Sequence, residues 1–383
     1  MIKEVICFAR HGPGPTERKS VQSHQPLSPW RLCVAPMMEW TDRHCRYFHR
    51  LLTRRARLYT EMVTTGALLH GDQPRHLDFN SQEHPVALQL GGSEPSDLAA
   101  CAKLGERWGY DEINLNCGCP SPRVQRGSFG ACLMAEPALV ADCVKAMLDA
   151  VALPVTVKHR IGIDRDESYE FVCDFVGTVA RAGCGVFIVH ARNAWLNGLA
   201  PDRSTYEIVQ GRREIESPAL RSSTGATLRR LSPKENREVP PLRYDVVHRL
   251  KADFPALTFV NNGGLTQPAH IEAQLQQVDG VMLGREAYHH PWSLAHWDSQ
   301  FCGDAPRALD RAEIELKMVE YMESLTLQGI TWPHAARHML GLWNGTPGAR
   351  RWRQVWSDHR LKHEAPRRVW QLAQRPAVEV EIS

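Results

Sequence analysis

The segment Asn114-Leu115-Asn116-Cys117-Gly118-Cys119-Pro120 puts a thiol on a Gly- and Pro-shaped loop directly after an apolar, strand-like run. The ordinary pKa of a thiol lies above neutrality, so a cysteine held over a carbon that becomes basic can give it a proton. Cys119 is the candidate for that role. Two other readings of the same residues stand beside it: a buried structural cysteine, and half of a Cys117/Cys119 metal pair. The position at a strand end favours chemistry. No companion cluster of Cys and His at zinc-finger spacing accompanies the pair, and no metal is expected.

Further along, Asn262-Gly263-Gly264 and Gly284-Arg285 each follow an apolar run. Glycines let backbone N–H groups approach phosphate oxygens, and Arg285 adds a charged planar fork, so the two turns together favour a phosphate site over plain tight turns. Lys158 and His190 end two successive runs and would point at the same place. A cation there could stabilise negative charge on a ligand bound at the strand ends, against the plainer readings of a surface lysine and a satisfied core histidine. Near the C-terminus Arg350, Arg351 and Arg353 are interleaved with Trp352 and Trp356. With the tryptophans packed inward, Arg350 and Arg353 share a helix face at i, i+3 and leave a basic patch outward, fit for phosphates or merely solvated.

Positioning these groups requires a scaffold that gathers strand ends. Between residues 30 and 294, short β-rich runs at 32–37, 57–60, 86–90, 112–116, 155–158, 186–190, 257–261 and 280–283 alternate with helical patterns. Such alternation predicts βαβ units and a parallel sheet, and eight runs predict a closed (β/α)8 TIM barrel with its site at the C-terminal strand ends. An open doubly wound sheet is the alternative. Residues 200–231, rich in Arg, Ser, Thr and Glu, lose both periods and read as an inserted surface loop whose edges, 198–201 and 230–233, partly repeat one another. After the barrel, Asp310 and Glu313 predict a capping box that opens a helix ended by Gly329. A second helix follows Trp332-Pro333, and a third, rich in Arg and Trp, follows Gly345-Thr346-Pro347-Gly348. The expected organisation is an extension at 1–27 without fixed structure, a barrel at 28–305, a small helical bundle at 306–376 and a tail at 377–383.

Composition sets wide bounds. The chain has 383 residues, 43% hydrophobic and 23% charged, enough for a large barrel plus a smaller module without cross-links. Eleven cysteines, an odd number scattered through predicted elements, point to a reducing compartment, and the cytoplasm is expected. No run of about 18 apolar residues predicts a membrane span, and residues 1–25 lack the apolar core of a secretory signal. A net charge of +3 is too small to argue for nucleic acid by itself, so local clustering has to carry that argument.

Taken together and in order, these stretches resemble the tRNA-dihydrouridine synthases, specifically their A subfamily. The resemblance runs from Leu32-Cys33-Val34-Ala35-Pro36-Met37-Met38-Glu39-Trp40-Thr41-Asp42 through Gln89-Leu90-Gly91-Gly92, the Cys119 segment, Val157-Lys158-His159-Arg160 and Val189-His190-Ala191-Arg192. It continues through Leu231-Ser232-Pro233-Lys234-Glu235-Asn236-Arg237, Asn262-Gly263-Gly264, Gly284-Arg285-Glu286 and Gly345-Thr346-Pro347-Gly348-Ala349-Arg350. It implies FMN held by Pro36, Met37, Met38, Gln89, Lys158, His190, Asn262, Gly263, Gly264, Gly284 and Arg285, with NADPH, or alternatively NADH, as reductant. It further implies hydride transfer to C6 of a uracil in the tRNA D loop, near positions 20 and 20a, with Cys119 protonating C5. Reduction destroys the planarity of the base, so the target must leave its stack to enter the barrel mouth. The resemblance assigns RNA contacts to Asn116, Lys234, Arg237, Arg350 and Arg353, and it implies no obligatory protein partner. This sequence departs from the family at the 200–231 insertion, which bears on Lys234 and Arg237, and at Asn261 beside Asn262, where adjacency to the glycines selects Asn262. A flavin oxidoreductase for small molecules and a tRNA-binding protein disabled by the insertion are the alternatives.

Overall fold

A computed structural model describes residues 27–121, 124, 127–196, 231–232 and 234–374. The expected N-terminal extension apart from Leu27, the insertion apart from Leu231, and the 377–383 tail lie outside the described residues.

Nine strands form one all-parallel sheet: β1 (Leu32–Val34), β2 (Arg57–Tyr59), β3 (Val63–Thr64), β4 (Val86–Gly91), β5 (Glu112–Cys117), β6 (Val155–Arg160), β7 (Val186–His190), β8 (Thr258–Asn262) and β9 (Gly280–Leu283). β1 pairs with both β2 and β9, and β2 pairs with β4, so eight of the strands close on themselves while β3 is a short addition beside the end of β4. The (β/α)8 barrel is thus formed, with helices on its outer side. Parallel strands covered by helices outside and side chains inside are buried on both faces, which is why their sequences read as short apolar runs. Within them the period is still two. In β6, Val155 and Val157 join the shell between barrel and helices, whereas Thr156 hydrogen-bonds to inward groups. A small apolar cluster of Cys33, Ala35, Tyr59, Ala87, Ile188, Val260 and Met282 fills the barrel interior.

Strand limits differ from the expected ones in instructive places. β1 stops at Val34 rather than 37, because Pro36 has no N–H to give the ladder and the following turn bonds within itself. β6 runs two residues further, to Arg160, paired along β7 to His190. β8 is shifted by one and ends on Asn262, paired with Met282.

Past the barrel come four helices: α2 (Arg311–Leu327), α3 (Pro333–Met339), α4 (Ala349–Trp356) and α5 (Pro366–Ala373). The expected capping box is absent: Asp310 precedes α2 without a side-chain bond to its N–H groups, and Glu313 instead pairs with Lys317 one turn on. Gly329, at φ +78°, takes the left-handed conformation just past the end of α2. These helices share a core with the barrel through the helix α1 (Arg43–Leu52), where Tyr47 stacks on Tyr321 at 3.9 Å and Phe48 and Leu52 join Met318, Met322 and Trp297. Trp352 and Trp356 are buried, as their alternation with arginines predicted. Their indole N–H groups, with that of Trp343, all donate to the buried carboxylate of Glu315, at 2.7, 3.2 and 3.0 Å. No described helix is long and apolar enough to cross a membrane.

Candidate active site

The inward side chains are polar at the barrel floor and again at its mouth. At the floor, the Glu112 carboxylate meets the Arg57 guanidinium at 3.3 Å and accepts from Trp30 Nε1 at 2.7 Å and the Tyr59 hydroxyl at 2.9 Å. Burial raises its pKa in spite of these partners. Above it an amide ladder climbs. Thr156 bonds to Glu112, Asn114 Nδ2 donates to Thr156 at 2.7 Å, Gln89 Nε2 to Asn114 at 2.7 Å, and Asn116 Nδ2 to Gln89 at 3.0 Å. The ladder ends on the Cys119 loop, because Asn116 Oδ1 accepts the backbone N–H of Gly118 and of Cys119, each at 3.0 Å. Alternation therefore does more than aim one side chain. It links the barrel floor to the loop that holds the thiol.

Cys117 and Cys119 part company here. Cys117 is fully buried in the shell outside the barrel, where burial pushes its thiol well up, while Cys119 lies past the strand end and is partly exposed. The other side of the Cys119 loop is fixed by Gly130. Its φ is +80°, and a Cβ there would stand 2.4 Å from Val124 Cγ1 and 2.7 Å from the Cys119 carbonyl, which accepts the N–H of Ala131. Only glycine satisfies both the conformation and the contact.

Around this thiol stands a ring of cations. Lys158 Nζ donates to Asn262 Oδ1 at 3.0 Å, and Asn262 Nδ2 donates to the Met282 carbonyl at 2.7 Å. Asn261 points the other way, to Gln274 at 2.6 Å. Burial, reinforced by the Arg160 charge and eased by Cys119, pushes Lys158 down to about 7. Arg160 is buried, bonds to the carbonyls of Gly118 and Asn236 at 3.1 Å each, and is pushed down to about 9 by burial. His190 is held well below its ordinary pKa, first by burial and then by Arg160, Lys158, Arg192 and Arg237, so its ring is neutral. Gly263 passes directly beside it: a Cβ at that position would meet His190 Cδ2 at 2.8 Å, and the φ of +121° excludes other residues as well. Gly264 also has positive φ, whereas Gly284 has room for a Cβ in ordinary contact with Met37. Arg285 pairs with Glu238 at 2.7 Å.

The turn after β1 carries Pro36, Met37 and Met38 and is closed by its own bonds. The Met37 N–H reaches Thr41 Oγ1 at 2.8 Å, and the Met37 carbonyl accepts from Trp40 and Thr41 at 3.1 and 2.9 Å. Met38 is 58% exposed at the mouth. Across the mouth, Lys234 and Arg237 are exposed on a short segment pinned by the buried Asn236, which exchanges bonds with Trp195 backbone at 2.7 and 3.0 Å. Trp195, shortly before the insertion, packs with Leu231, the insertion's last residue, and Asn236 Nδ2 also reaches the Leu231 carbonyl at 3.4 Å. Arg350 and Arg353 are exposed on α4, away from these strand ends in sequence but tied to the barrel, since Arg353 bonds Asn344 at 2.8 Å and Asn344 bonds the His289 carbonyl at 2.7 Å.

Such an arrangement suits an electron-rich, phosphorylated ligand. Several cations converge with Glu238 as a counter-charge on one of them, Lys158 is held in a state that an anion would relieve, and two glycines open backbone where side chains would collide. The sequence reading missed Arg160, Gly130 and Asn236. Arg160 could have been found from the alternation Thr156, Lys158, Arg160. The other two had no local signal, because each answers to a neighbour distant along the chain.

Comparison with known proteins agrees over nearly the whole chain. The family described as "Dihydrouridine synthase (Dus)" matches residues 33–378. A tRNA-dihydrouridine(20/20a) synthase of Pseudomonas aeruginosa is 52% identical over 361 residues, covering 94% of this chain and 97% of that protein. Proteins of the same name from Pseudomonas syringae pv. tomato and Escherichia coli K12 are 54% identical over 336 residues and 53% identical over 333, covering 88% and 87% of this chain and 90% and 87% of theirs.

Proposed function

Because this chain belongs to the dihydrouridine synthase family, we propose that it reduces uridine to dihydrouridine in tRNA, at positions 20 and 20a, using FMN and NADPH. The observation that carries the reading is the partly exposed Cys119 on its braced loop, facing a cation ring over the barrel mouth. FMN, when bound, would supply a hydride to C6 of the uracil, and the C5=C6 bond is lost as C5 takes a proton. Cys119 gives that proton, since its thiol stands partly exposed on a loop fixed by Asn116 and can be refilled from solvent at the open mouth.

The residues present fit FMN. Gly263, Gly264 and Gly284 with Arg285 would take the phosphate. Lys158 and Asn262 would meet the electron-rich edge of the ring, with neutral His190 beside Gly263. Gln89, Pro36, Met37 and Met38 would line its remaining sides. Lys158 is already in hydrogen-bond contact with Asn262, so once protonated it stabilises negative charge without moving. Asn116 keeps the Cys119 backbone fixed while its neighbourhood receives the base, and Lys234, Arg237, Arg350 and Arg353 are assigned to tRNA phosphates. Arg237 is close enough to Cys119 and Arg285 to feel both electrostatically, which puts an RNA-directed cation beside the acid.

The test is incubation of the yellow, purified protein with NADPH and unmodified tRNA, followed by mapping of dihydrouridine. Product at 20 and 20a supports the reading. NADPH oxidation that proceeds equally without RNA would identify a small-molecule oxidoreductase instead, and a colourless protein that binds tRNA would identify a non-catalytic one.

A further inference from the structure

The turn that carries Pro36, Met37 and Met38 is shaped from two sides, by the barrel and by the helices beyond it. β1 ends at Val34, and Glu39 sits at φ +67°, a left-handed conformation that non-glycine residues hold only when their surroundings impose it. On the barrel side the Glu39 N–H bonds to the Glu61 carboxylate, and on the other side the surroundings come from the C-terminal helices. His338 of α3 is buried; its Nε2 bonds to the Asp42 carboxylate at 3.0 Å and its Nδ1 meets the Tyr288 hydroxyl at 3.2 Å. Arg337, the neighbouring residue of α3, adds a second bond to Asp42 at 2.6 Å. Tyr288 lies flat on Trp40, with ring centroids 4.5 Å apart and planes 12° off parallel. Trp40 gives its N–H to the Met37 carbonyl at 3.1 Å, and Thr41, next to Asp42, takes the Met37 N–H at 2.8 Å. Two routes thus run from α3 to the backbone of Met37, one through Tyr288 and Trp40 and one through Asp42 and Thr41.

The Asp42 carboxylate is saturated for this purpose. It also caps α1, accepting the N–H groups of His44 and Cys45 at 3.0 Å each. Burial would raise its pKa, but the His338 bond and charge, the Cys45 N–H and Arg337 hold it well below the usual carboxylate range. A fixed anion with one oxygen on α1 and the other on α3 locks the angle at which the chain leaves the turn.

From this geometry we infer that His338, Asp42, Tyr288 and Trp40 are positioning residues for the flavin, a chain through which α3 helps the barrel hold the Pro36–Met38 turn. The inference rests on the reading that this turn lines an FMN site. It makes α3 part of the cofactor site as well as part of the segment assigned to tRNA. None of the four touches the reacting atoms.

The experiment measures FMN affinity by fluorescence titration of the full-length protein, together with the thermal midpoint of the flavin-free form. Tyr288→Phe removes a hydroxyl and keeps the ring on Trp40; His338→Gln cuts the same link from the other side. Each is expected to weaken FMN binding about three- to tenfold, the scale of one hydrogen bond, and the double variant is expected to be no weaker than the worse single one. Trp40→Leu should weaken binding with an unchanged thermal midpoint, and Trp40→Phe should restore most of it. Wild-type affinity in Tyr288→Phe and Trp40→Leu, or a lowered midpoint with FMN affinity intact, would overturn the inference alone, provided the wild type binds FMN and forms dihydrouridine. A wild type without affinity for FMN would overturn the functional reading and this inference with it.

Discussion

At the scale of single residues, the barrel mouth works by choosing which groups are charged. Lys158 is the clearest instance, pushed down to about 7 by burial with Arg160 beside it and Cys119 in partial relief. In the flavin-free protein at pH 8, Lys158 is therefore mostly neutral. An anionic ligand favours the protonated form and raises the pKa, so binding must take up a proton. Calorimetry of FMN binding at pH 8 in buffers of different ionisation enthalpy is expected to show an uptake approaching one proton, lost in Lys158→Met and vanishing in the wild type below about pH 6. Several of these residues were legible in the sequence, since period-two alternation aims Lys158 inward and adjacency to the glycines selects Asn262, whose side chain meets Lys158 while Asn261 turns away. Gly130 was not legible, because its need for glycine comes from Val124 and the Cys119 carbonyl rather than from any turn pattern.

At the scale of elements, α4 presents two faces with separate duties. Its inner face depends on Glu315, which collects the indole N–H groups of Trp343, Trp352 and Trp356. Glu315→Ala removes the acceptor shared by three buried indole N–H groups and is expected to destabilise the protein by about 3–5 kcal/mol in urea unfolding, with a change in tryptophan fluorescence before global loss of the barrel. Its outer face holds Arg350 and Arg353. If they meet tRNA phosphates, replacing both by Ala should weaken tRNA binding and lower the slope of log affinity against log salt by about 1.4 to 1.8, while FMN affinity stays as it was. The inward tryptophans were legible from their spacing. The capping box was not, because Glu313 finds Lys317 one turn along and Asp310 caps nothing, a competition that a four-residue pattern does not contain. Strand limits were off by one to three residues for a similar reason: the ladder ends where Pro36 or a turn removes donors, not where apolar residues end.

At the scale of the whole molecule, the eight-stranded closure and the gathering of strand ends were readable from the order of runs, since right-handed βαβ connections leave few other arrangements. The insertion is placed only by the described residues at its edges. Trp195 and Leu231 pack together and Asn236 bonds to both, so the chain leaves and returns at one point while Lys234 and Arg237 stay on a pinned segment. Joining across that point should cost little, and a variant lacking 200–230, which keeps Leu231 against Trp195, is expected to form dihydrouridine at a rate equal to or above the full-length protein. Loss of tRNA binding in that variant would assign the insertion a role in RNA recognition.

The central claim is that Cys119 is the acid in the reduction of a tRNA uridine. Its most direct test is dihydrouridine formation on unmodified tRNA by wild type and by Cys119→Ala, each loaded with FMN and supplied with NADPH. The account predicts product at 20 and 20a from the wild type, and a rate about 10²- to 10⁴-fold lower from Cys119→Ala with flavin affinity and tRNA affinity retained. A Cys119→Ala variant as active as the wild type would contradict it.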